Sequence, residues 1–407
     1  MLEGWKRKSL ADLLEFRNGM NFTQASQGEQ VKVIGVGDFK DKEVLNDFSE
    51  TQSITLNGKV NPDDLLENDD LLFVRSNGNK ALIGRCVLIS GIAEPISFSG
   101  FTIRGRVKSD EIDHSFASKL VRSPLFKEHL HKMGGGSSIN NLSQNTLSQF
   151  CFSLPPLPEQ CKIAEILRTW DEAIEKLEAL RAAKERQLAG YTQQLMGRGG
   201  VFLERWEMRP LSSISTRIRR QNGGDDHPVM TISAKSGFLM QSDKFSRDMA
   251  GRSVDRYIVL HQGEFAYNKG NSLTAPYGCI FKLDRPSALV PFVYFCFALK
   301  PELDHGFYEH LLAAGALNHQ LSRLINSGVR NDGLLNLNAE DFFGCRVPVP
   351  PLNEQRQIGR ALTAMKDELN LLDKQIETLT RQKRGLMQKL LTGEWRVTSE
   401  AQKEAVG

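Results

Sequence analysis

Apolar residues recur at alternating spacings of four and three residues in two long stretches of this chain. In the first stretch these positions are Ile163, Leu167, Trp170, Ile174, Leu177, Leu188, Tyr191 and Leu195. In the second they are Ile358, Leu362, Met365, Leu369, Leu372, Ile376, Leu379, Leu386 and Leu390. A repeat of about 3.5 residues predicts a helical coiled-coil seam whose apolar residues meet a partner helix.

Each predicted helix follows a pair of prolines, Pro155–Pro156 or Pro350–Pro351, which cannot continue a helix upstream. Asn353 is predicted to cap the second helix, and Pro158 to lie in the first turn of the first helix.

The simplest partner for each predicted helix is the other one. Because a whole globular segment connects them, an antiparallel pair is sterically allowed. Arg181 and Lys184 interrupt the first seam and Lys383 interrupts the second, so this region is either a polar layer or a face for a partner. The alternative, in which each stripe packs only on its own domain, stays open, although helices of about 35 residues exceed what a small domain usually covers.

The chain also contains an internal repeat. Residues 154–160 (LPPLPEQ) return as residues 349–355 (VPPLNEQ), at an offset of 195. Upstream, Trp5 and Leu10 are matched by Trp206 and Leu211 at an offset of 201. Two related segments of about 150 residues are therefore each followed by a related helix.

Short apolar runs separated by Gly, Asn and Ser turns predict strands in both segments, at 71–74, 81–83, 86–89, 265–267 and 279–281. The predicted fold class is α+β, with two similar β-rich domains separated by two long helices that form an antiparallel coiled coil. The predicted boundaries are 1–153 and 198–348 for the domains, 154–197 and 349–396 for the helices, and 397–407 for a flexible tail.

Composition narrows the function classes. Forty per cent hydrophobic and 25% charged residues are typical of a globular protein, and no apolar run is long enough to cross a membrane. The N-terminus does not resemble a secretory signal, so a cytoplasmic location is expected. The six cysteines form no C-x-x-C pair, and neither they nor the eight histidines indicate a metal site. A net charge of +3 decides nothing about nucleic acid by itself.

Motifs of enzyme chemistry are missing from the sequence. It contains neither the Asp/Asn-Pro-Pro-aromatic motif of a DNA methyltransferase nor a phosphate-binding loop for ATP. It also lacks the convergent acidic residues and lysine of a metal-dependent nuclease, and a G-x-S-x-G elbow. No catalytic or metal-binding residue is therefore predicted.

Polar loops after two corresponding strands are the best candidates for DNA contacts. Arg and Asn side chains fit the major-groove edges of guanine and adenine, and Lys fits phosphate. An ordinary hairpin, in which Gly and Asn supply turn geometry, is an equally weighted alternative for any single residue. The candidates in these loops are Arg75, Ser76, Asn77, Asn79, Lys80 and Arg85, and Tyr267, Asn268, Lys269, Asn271 and Ser272.

Further candidates rest on weaker patterns. Arg104 and Arg106 alternate along a predicted strand, and Arg219 and Arg220 belong to a basic cluster. Arg330 and Asn331 lie in a loop that corresponds to the glycine-rich stretch 134–138.

The duplicated layout resembles the specificity subunits of type I restriction–modification systems. The resemblance rests on residues 154–167 and 350–362, on LMGRG (195–199) and LLTGEW (390–395), and on the two loops. It implies two target-recognition domains that each bind one half of a bipartite DNA site, and helices that fix the spacer between the halves. It also implies two methyltransferase subunits and motor–nuclease restriction subunits as partners, which would hold S-adenosylmethionine, ATP and magnesium; no cofactor is expected in this chain.

Two alternatives remain from sequence alone. A divergent DNA-modifying enzyme would act on DNA without partners. A coiled-coil interaction scaffold would bind DNA weakly and without sequence preference.

Overall fold

The computed structural model describes residues 3–21, 28–40, 42–56, 59–134, 141–196, 205–244, 256–270, 275–325 and 335–397. Backbone contacts divide the chain into two compact units. Unit 1 consists of Met1–Glu178 and Gln375–Gly407, and unit 2 consists of Ala179–Lys374. Each unit therefore contains one globular segment and parts of both long helices.

The helices of the described residues are short except for two. Helix α5 spans 40 residues and α11 spans 41. In chain order the helices are α1 (Leu10–Leu13), α2 (His114–Leu120), α3 (Pro124–Met133), α4 (Gln144–Ser148), α5 (Leu157–Met196), α6 (Leu211–Ile214), α7 (Gln241–Lys244), α8 (His305–Ala313), α9 (Asn318–Leu324), α10 (Ala339–Gly344) and α11 (Leu352–Thr392).

Unit 1 has a five-stranded sheet of order β2-β9-β6-β7-β4, a three-stranded sheet of order β5-β3-β8, and the antiparallel pair β1-β10. Its strands are β1 (Lys6–Ser9), β2 (Leu14–Asn18), β3 (Gln30–Ile34), β4 (Val44–Leu45), β5 (Ser53–Thr55), β6 (Leu71–Val74), β7 (Cys86–Ile89), β8 (Ile96–Phe98), β9 (Thr102–Val107) and β10 (Cys151–Leu154).

Unit 2 has a four-stranded sheet of order β12-β19-β16-β17 and the antiparallel pairs β13-β14, β15-β18 and β11-β20. Its strands are β11 (Glu207–Pro210), β12 (Ser215–Ile218), β13 (Met230–Ser233), β14 (Gly237–Met240), β15 (Ile258–His261), β16 (Phe265–Asn268), β17 (Cys279–Lys282), β18 (Ser287–Val290), β19 (Phe295–Leu299) and β20 (Arg346–Val349).

The main sheets of the two units share one strand order. In the order of the main sheets, β2-β9-β6-β7 of unit 1 corresponds to β12-β19-β16-β17 of unit 2. The predicted fold class, two similar mixed domains with two long helices, is therefore confirmed. Four of the five predicted strand runs are strands. The run 81–83 is wrong, because the Asn79 side chain accepts the N–H of Ala81 at 3.1 Å and so caps a 3-10 turn, Lys80–Leu82.

The two long helices run antiparallel within each unit. In unit 1, Glu159 and Asp171 of α5 pair with Arg396 and Lys383, so the partner number falls as the α5 number rises. In unit 2, Arg181 pairs with Asp373 at 2.5 Å and Lys184 with Glu368 at 2.9 Å, in the same sense.

The predicted cap of the second helix is wrong. Asn353 lies inside the first turn, because α11 already begins at Leu352. Pro351 stands immediately before the helix instead, and its carbonyl accepts the N–H of Gln355 at 3.0 Å as the first bond of the helix. Pro158 does lie in the first turn of α5.

A carboxylate at the start of each long helix binds a tryptophan from the start of the globular segment that precedes that helix. The indole N–H of Trp5 donates to Glu159 at 3.0 Å, and that of Trp206 donates to Glu354 at 2.9 Å. Glu159 is buried and also accepts two hydrogen bonds from the guanidinium of Arg396, at 2.9 and 3.0 Å. These bonds hold the chain that follows α11 against the start of α5 as far as Val397, the first residue of the predicted tail; residues 398–407 lie outside the described part.

The glutamine that follows each carboxylate joins the helix to its domain. The amide oxygen of Gln355 accepts the backbone N–H of Asp304, the residue that caps α8, at 2.9 Å. Its amide nitrogen donates to the carbonyl of Pro350 at 2.8 Å. Gln160 makes the equivalent bond to the N–H of Asp113, the cap of α2, at 2.9 Å. Both glutamines are buried, so these bonds are shielded from water.

We expect Gln355→Leu to lower the free energy of unfolding of unit 2 by about 2–4 kcal/mol, because it leaves the N–H of Asp304 and the carbonyl of Pro350 buried without partners. Urea unfolding followed by circular dichroism measures this. The control is Gln357→Leu, since Gln357 is exposed on the same helix. Equal stability of the two variants would contradict the role given to Gln355.

Candidate nucleic-acid interface

The loop after β6 is held by its own asparagines. The side-chain oxygen of Asn77 accepts the N–H of Asn79 at 2.8 Å, and Asn79 caps the following 3-10 turn. The side-chain oxygens of both asparagines therefore shape the turn, as the hairpin interpretation of this sequence predicts. Asn79 and Lys80 are exposed, and Ser76 and Asn77 are half-buried.

Arg75 connects this loop to the turn between β8 and β9. Its backbone N–H donates to the carbonyl of Phe101 at 2.8 Å, and its guanidinium donates to the carbonyl of Gly100 at 3.3 Å. The N–H of Ser76 also donates to the Phe101 carbonyl, at 3.3 Å. The carbonyl of Arg75 accepts the N–H of Leu142, just before α4. Three chain segments thus meet at one tip of unit 1, which we call tip 1 (residues 75–80, 99–101 and 141–142).

A basic groove lies beside tip 1. Residues 80–86 form one wall and α3 contributes to the other, around a volume of about 510 Å³. Among the described residues, no acidic side chain lines it. Its basic lining consists of Lys80, Arg85, Arg122, Lys127 and His131.

Sequence reasoning found Lys80 and Arg85 but missed Lys127 and His131, which are exposed on α3. Their spacing of four places both on one helix face and was the available signal. Arg122 is engaged elsewhere, since it pairs with Glu43 at 3.0 Å.

Arg104 and Arg106 are held by protein partners. Arg104 is 4% exposed, and its guanidinium donates to the carbonyls of Asp63 and Leu65 at 2.8 and 3.0 Å. Arg106 makes a two-bond contact with the carboxylate of Asp70, at 2.7 and 2.8 Å, which raises the pKa of Arg106. These contacts give both arginines a structural role; a DNA contact by either stays a prediction.

In unit 2 the loop after β16 is partly buried. Tyr267 is 1% exposed, stacks on Phe342 with ring centroids 4.5 Å apart, and donates its hydroxyl to the carbonyl of Tyr277. Asn268 donates to the carbonyl of Ile232 at 3.2 Å and accepts the N–H of Gly270. Lys269 lies 5.3 Å from the ring centroid of Phe295. Asn271, Ser272, Arg330 and Asn331 lie outside the described residues.

The basic cluster of unit 2 divides into two environments. Arg220 pairs with Glu264, with both nitrogen–oxygen distances at 3.2 Å. Arg219 is exposed on the strand end next to it. Glu264 therefore engages Arg220, whereas Arg219 is exposed to solvent.

The seam residues of the long helices divide between domain cores and the helix pair. Ile163, Leu167 and Leu390 belong to the main core of unit 1, and Leu362 belongs to that of unit 2, with Leu188, Leu195 and Ile358 packed against it. Leu372 is buried as well. Half-buried positions are Trp170, Ile174, Leu177, Met365, Leu369, Ile376, Leu379 and Leu386, while Tyr191 is 44% exposed. Some seam residues therefore pack on a domain and others lie along the helix pair, so each of the two interpretations applies to part of each helix.

The charged residues that interrupt the seams form ion pairs between the helices. Arg181 and Lys184 meet Asp373 and Glu368 of α11, which makes this region a polar layer. Lys383 pairs with Asp171 of α5. At these positions the two helices are joined by ion pairs, where the heptad pattern elsewhere has apolar contacts.

Glu43 stands at the centre of a cluster of charges in unit 1. Its carboxylate pairs with Lys119 at 2.7 Å, Arg122 at 3.0 Å and Lys383 at 3.4 Å, while Asp171 pairs with Lys119 and Lys383. Burial would raise the pKa of Glu43, but the attraction of the cations outweighs it and lowers the pKa to about 2. The cluster links the sheet, α2 and both long helices of unit 1.

Neither a metal site nor a membrane-spanning helix is found among the residues that the structure describes. No group of three or more His, Cys, Asp or Glu side chains lies close enough together to hold a metal ion. None of the helices there combines the length and the apolar character that spanning a membrane requires.

The family model of the type I restriction modification DNA specificity domain matches residues 2–184. A type I restriction enzyme specificity subunit from Salmonella potsdam, StySPI, is 28% identical over 180 residues, which make up 43% of this chain and 38% of that protein. The chain thus matches less than half the length of that relative. The EcoKI specificity subunit of Escherichia coli K12 is 21% identical over 357 residues, or 82% of this chain and 75% of that protein.

A solved structure shares the fold over nearly the whole chain. The S subunit of a type I restriction–modification system from M. genitalium superposes with a TM-score of 0.54 at 15% identity, and the match covers 95% of this chain and 96% of that one.

Glu43→Gln tests the charge cluster through pH. A carboxylate whose pKa falls from 4.5 to about 2 on folding stabilises the protein above about pH 4.5, and this stabilisation is lost as pH falls to about 2. We therefore expect the variant to be less stable than the parent at pH 7, with the difference shrinking below pH 4.5. Urea midpoints measured from pH 7 to pH 3 test this. Glu50→Gln is the control, since Glu50 is exposed; a difference for Glu43→Gln that does not change with pH would contradict it.

Proposed function

We propose that the chain, like the type I restriction–modification specificity subunits that it resembles in sequence and fold, selects the DNA site at which such a complex acts. It contributes recognition rather than catalysis. The domains we assign to recognition are residues 1–153 and 198–348, one for each half of a bipartite site. The observation that carries the proposal is the repeated topology: the main sheets of the two units share a strand order, and each unit is joined to the start of one long helix by the same glutamine–aspartate hydrogen bond.

We assign the DNA contacts of the first half-site to tip 1 and the basic groove. A groove whose lining includes Lys80, Arg85 and Lys127 suits the phosphate backbone. The side chains of Ser76 and Asn77 lie on the same tip and are suited to base edges. In the second half-site, Arg219 and Lys269 take the phosphate role, and the loop with Asn271 and Ser272 takes the base-reading role.

The partners follow from the proposed role. Two methyltransferase subunits dock on the helices and bring S-adenosylmethionine. Motor–nuclease subunits bring ATP and magnesium when the complex cuts DNA. The exposed outer faces of α5 and α11 favour docking, because most of their residues outside the seam are exposed. The assembly belongs in the cytoplasm, where it meets DNA.

Two other functions are less well supported. A DNA-modifying enzyme needs catalytic motifs that the sequence lacks, and a scaffold without DNA recognition does not account for a basic groove in a recognition domain.

A methylation map tests the proposal. The chain is expressed with its neighbouring methyltransferase subunit in a methylation-free host, and adenine methylation is mapped across the genome. We expect a new motif of two short half-sites around a fixed gap. The host that expresses the methyltransferase subunit alone is the control. No methylation from a complex shown to be assembled would overturn the proposal.

The helix pair is expected to set the gap between the half-sites. A 40-residue helix is about 60 Å long at about 1.5 Å per residue, and one heptad corresponds to about three base pairs. Deleting residues 181–187 together with 367–373 removes both members of the ion pairs Arg181–Asp373 and Lys184–Glu368. We expect the methylated motif to change its gap or to disappear.

The control for this deletion is a pair of substitutions, Arg181→Met and Asp373→Leu, which removes an ion pair but keeps the helix length. It is expected to leave the gap unchanged. Full activity with an unaltered gap after the double deletion would rule out a ruler made of these helices.

A further inference from the structure

Two phenylalanines break the pattern of burial. Among the phenylalanines in the part of the chain that the structure describes, only Phe101 and Phe292 are exposed, by 63% and 43%. A single exposed apolar residue needs no explanation. Two at related places in both units do.

Phe101 lies at tip 1, in the turn between β8 and β9. Its carbonyl accepts the N–H groups of Arg75 and Ser76, so the backbone that carries the ring is fixed to the candidate DNA loop. The ring itself is the most exposed large apolar side chain among the described residues. A rigid backbone with a solvent-facing ring is suited to contact a ligand rather than to stabilise the fold.

Phe292 lies in the corresponding connection of unit 2, between β18 and β19. Strand β19 pairs with β16 as β9 pairs with β6, so both turns lead into the strand beside the candidate loop. The guanidinium carbon of Arg256 lies 4.2 Å from the centroid of the Phe292 ring. Each exposed ring is therefore accompanied by an arginine, Arg75 at the backbone of one and Arg256 over the face of the other.

We infer that Phe101 and Phe292 are apolar base-contacting residues, one for each half of the DNA site. This inference rests on the proposed function and adds to it the residues that meet the bases. Aromatic rings contact thymine methyl groups in the major groove or enter a base step as wedges. The neighbouring arginines hold the phosphates on either side of such a contact.

DNA is favoured over a protein partner by the charges around the rings. Around Phe101, the same tip carries Arg75 and Lys80, and the adjoining groove has a basic lining without acidic side chains among the described residues. An exposed apolar ring on a tip that also carries cations matches a polyanion whose bases offer apolar edges.

The experiment uses the assembled complex of this chain with its methyltransferase subunits. Binding is measured by fluorescence anisotropy on a duplex that carries the mapped motif and on a scrambled duplex, at several salt concentrations. The variants are Phe101→Ala, Phe292→Ala and the conservative Phe101→Trp. Met208→Ala is the matched control, since Met208 is an exposed apolar residue on β11. Lys127→Ala is included for comparison, because Lys127 lines the basic groove that is assigned to phosphate contacts.

We expect each Phe→Ala variant to lose roughly tenfold or more in affinity for the motif, with little change on the scrambled duplex. The dependence on salt stays the same, because no phosphate contact is removed, whereas Lys127→Ala weakens binding to both duplexes and lowers the salt dependence. Phe101→Trp and Met208→Ala retain the parental affinity. In duplexes with base-pair changes in one half-site, Phe101→Ala and Phe292→Ala relax discrimination in different halves.

Two results overturn the inference alone: parental affinity and discrimination in both Phe→Ala variants, or failure of these variants to assemble with the methyltransferase subunits. The second result assigns the rings to a protein interface. If the parental complex itself does not prefer the motif, the proposed function fails, and the inference fails with it.

Discussion

The rest of this structure depends on the contacts made by the buried glutamine, and by the glutamate before it, at the start of each long helix. The glutamine closes a hydrogen-bond circuit between the helix, the prolines before it and the cap of a domain helix, and the glutamate holds the first tryptophan of the unit. Buried polar groups are satisfied only in one geometry, so each circuit fixes the direction in which a helix of 40 or 41 residues leaves its domain. Small errors at this joint would be magnified along the helix.

Charges then determine how the helices pair. A purely apolar seam tolerates shifts by a heptad, whereas Arg181, Lys184 and Lys383 each require an acidic partner on the other helix. In unit 1 this pairing extends to Glu43 and Lys119 of the domain. The charged residues that interrupt the apolar seams thus specify which positions of the two helices face each other.

Several polar side chains of the candidate interface are bonded within the protein itself. Asn77 and Asn79 use their oxygens to shape the loop, and Arg104 and Arg106 are held by carbonyls and carboxylates under the sheet. Lys80 and Lys127, by contrast, are exposed on the lining of the basic groove. The loops after β6 and β16 differ in sequence although the main sheets share a strand order, as the proposal of two different half-sites requires.

The duplication, the long helices and most strands could be predicted without the structure, because local periodicity and repeated motifs specify them. It could not separate Arg104, which is buried, from Arg219, which is exposed, because burial depends on contacts between distant segments. Nor could it join Lys127 of α3 to Lys80 or Phe101 to Arg75, which are distant in the chain and become neighbours only when the sheet and α3 pack. Periodicity is a property of neighbouring residues, whereas a binding surface is formed by tertiary contacts.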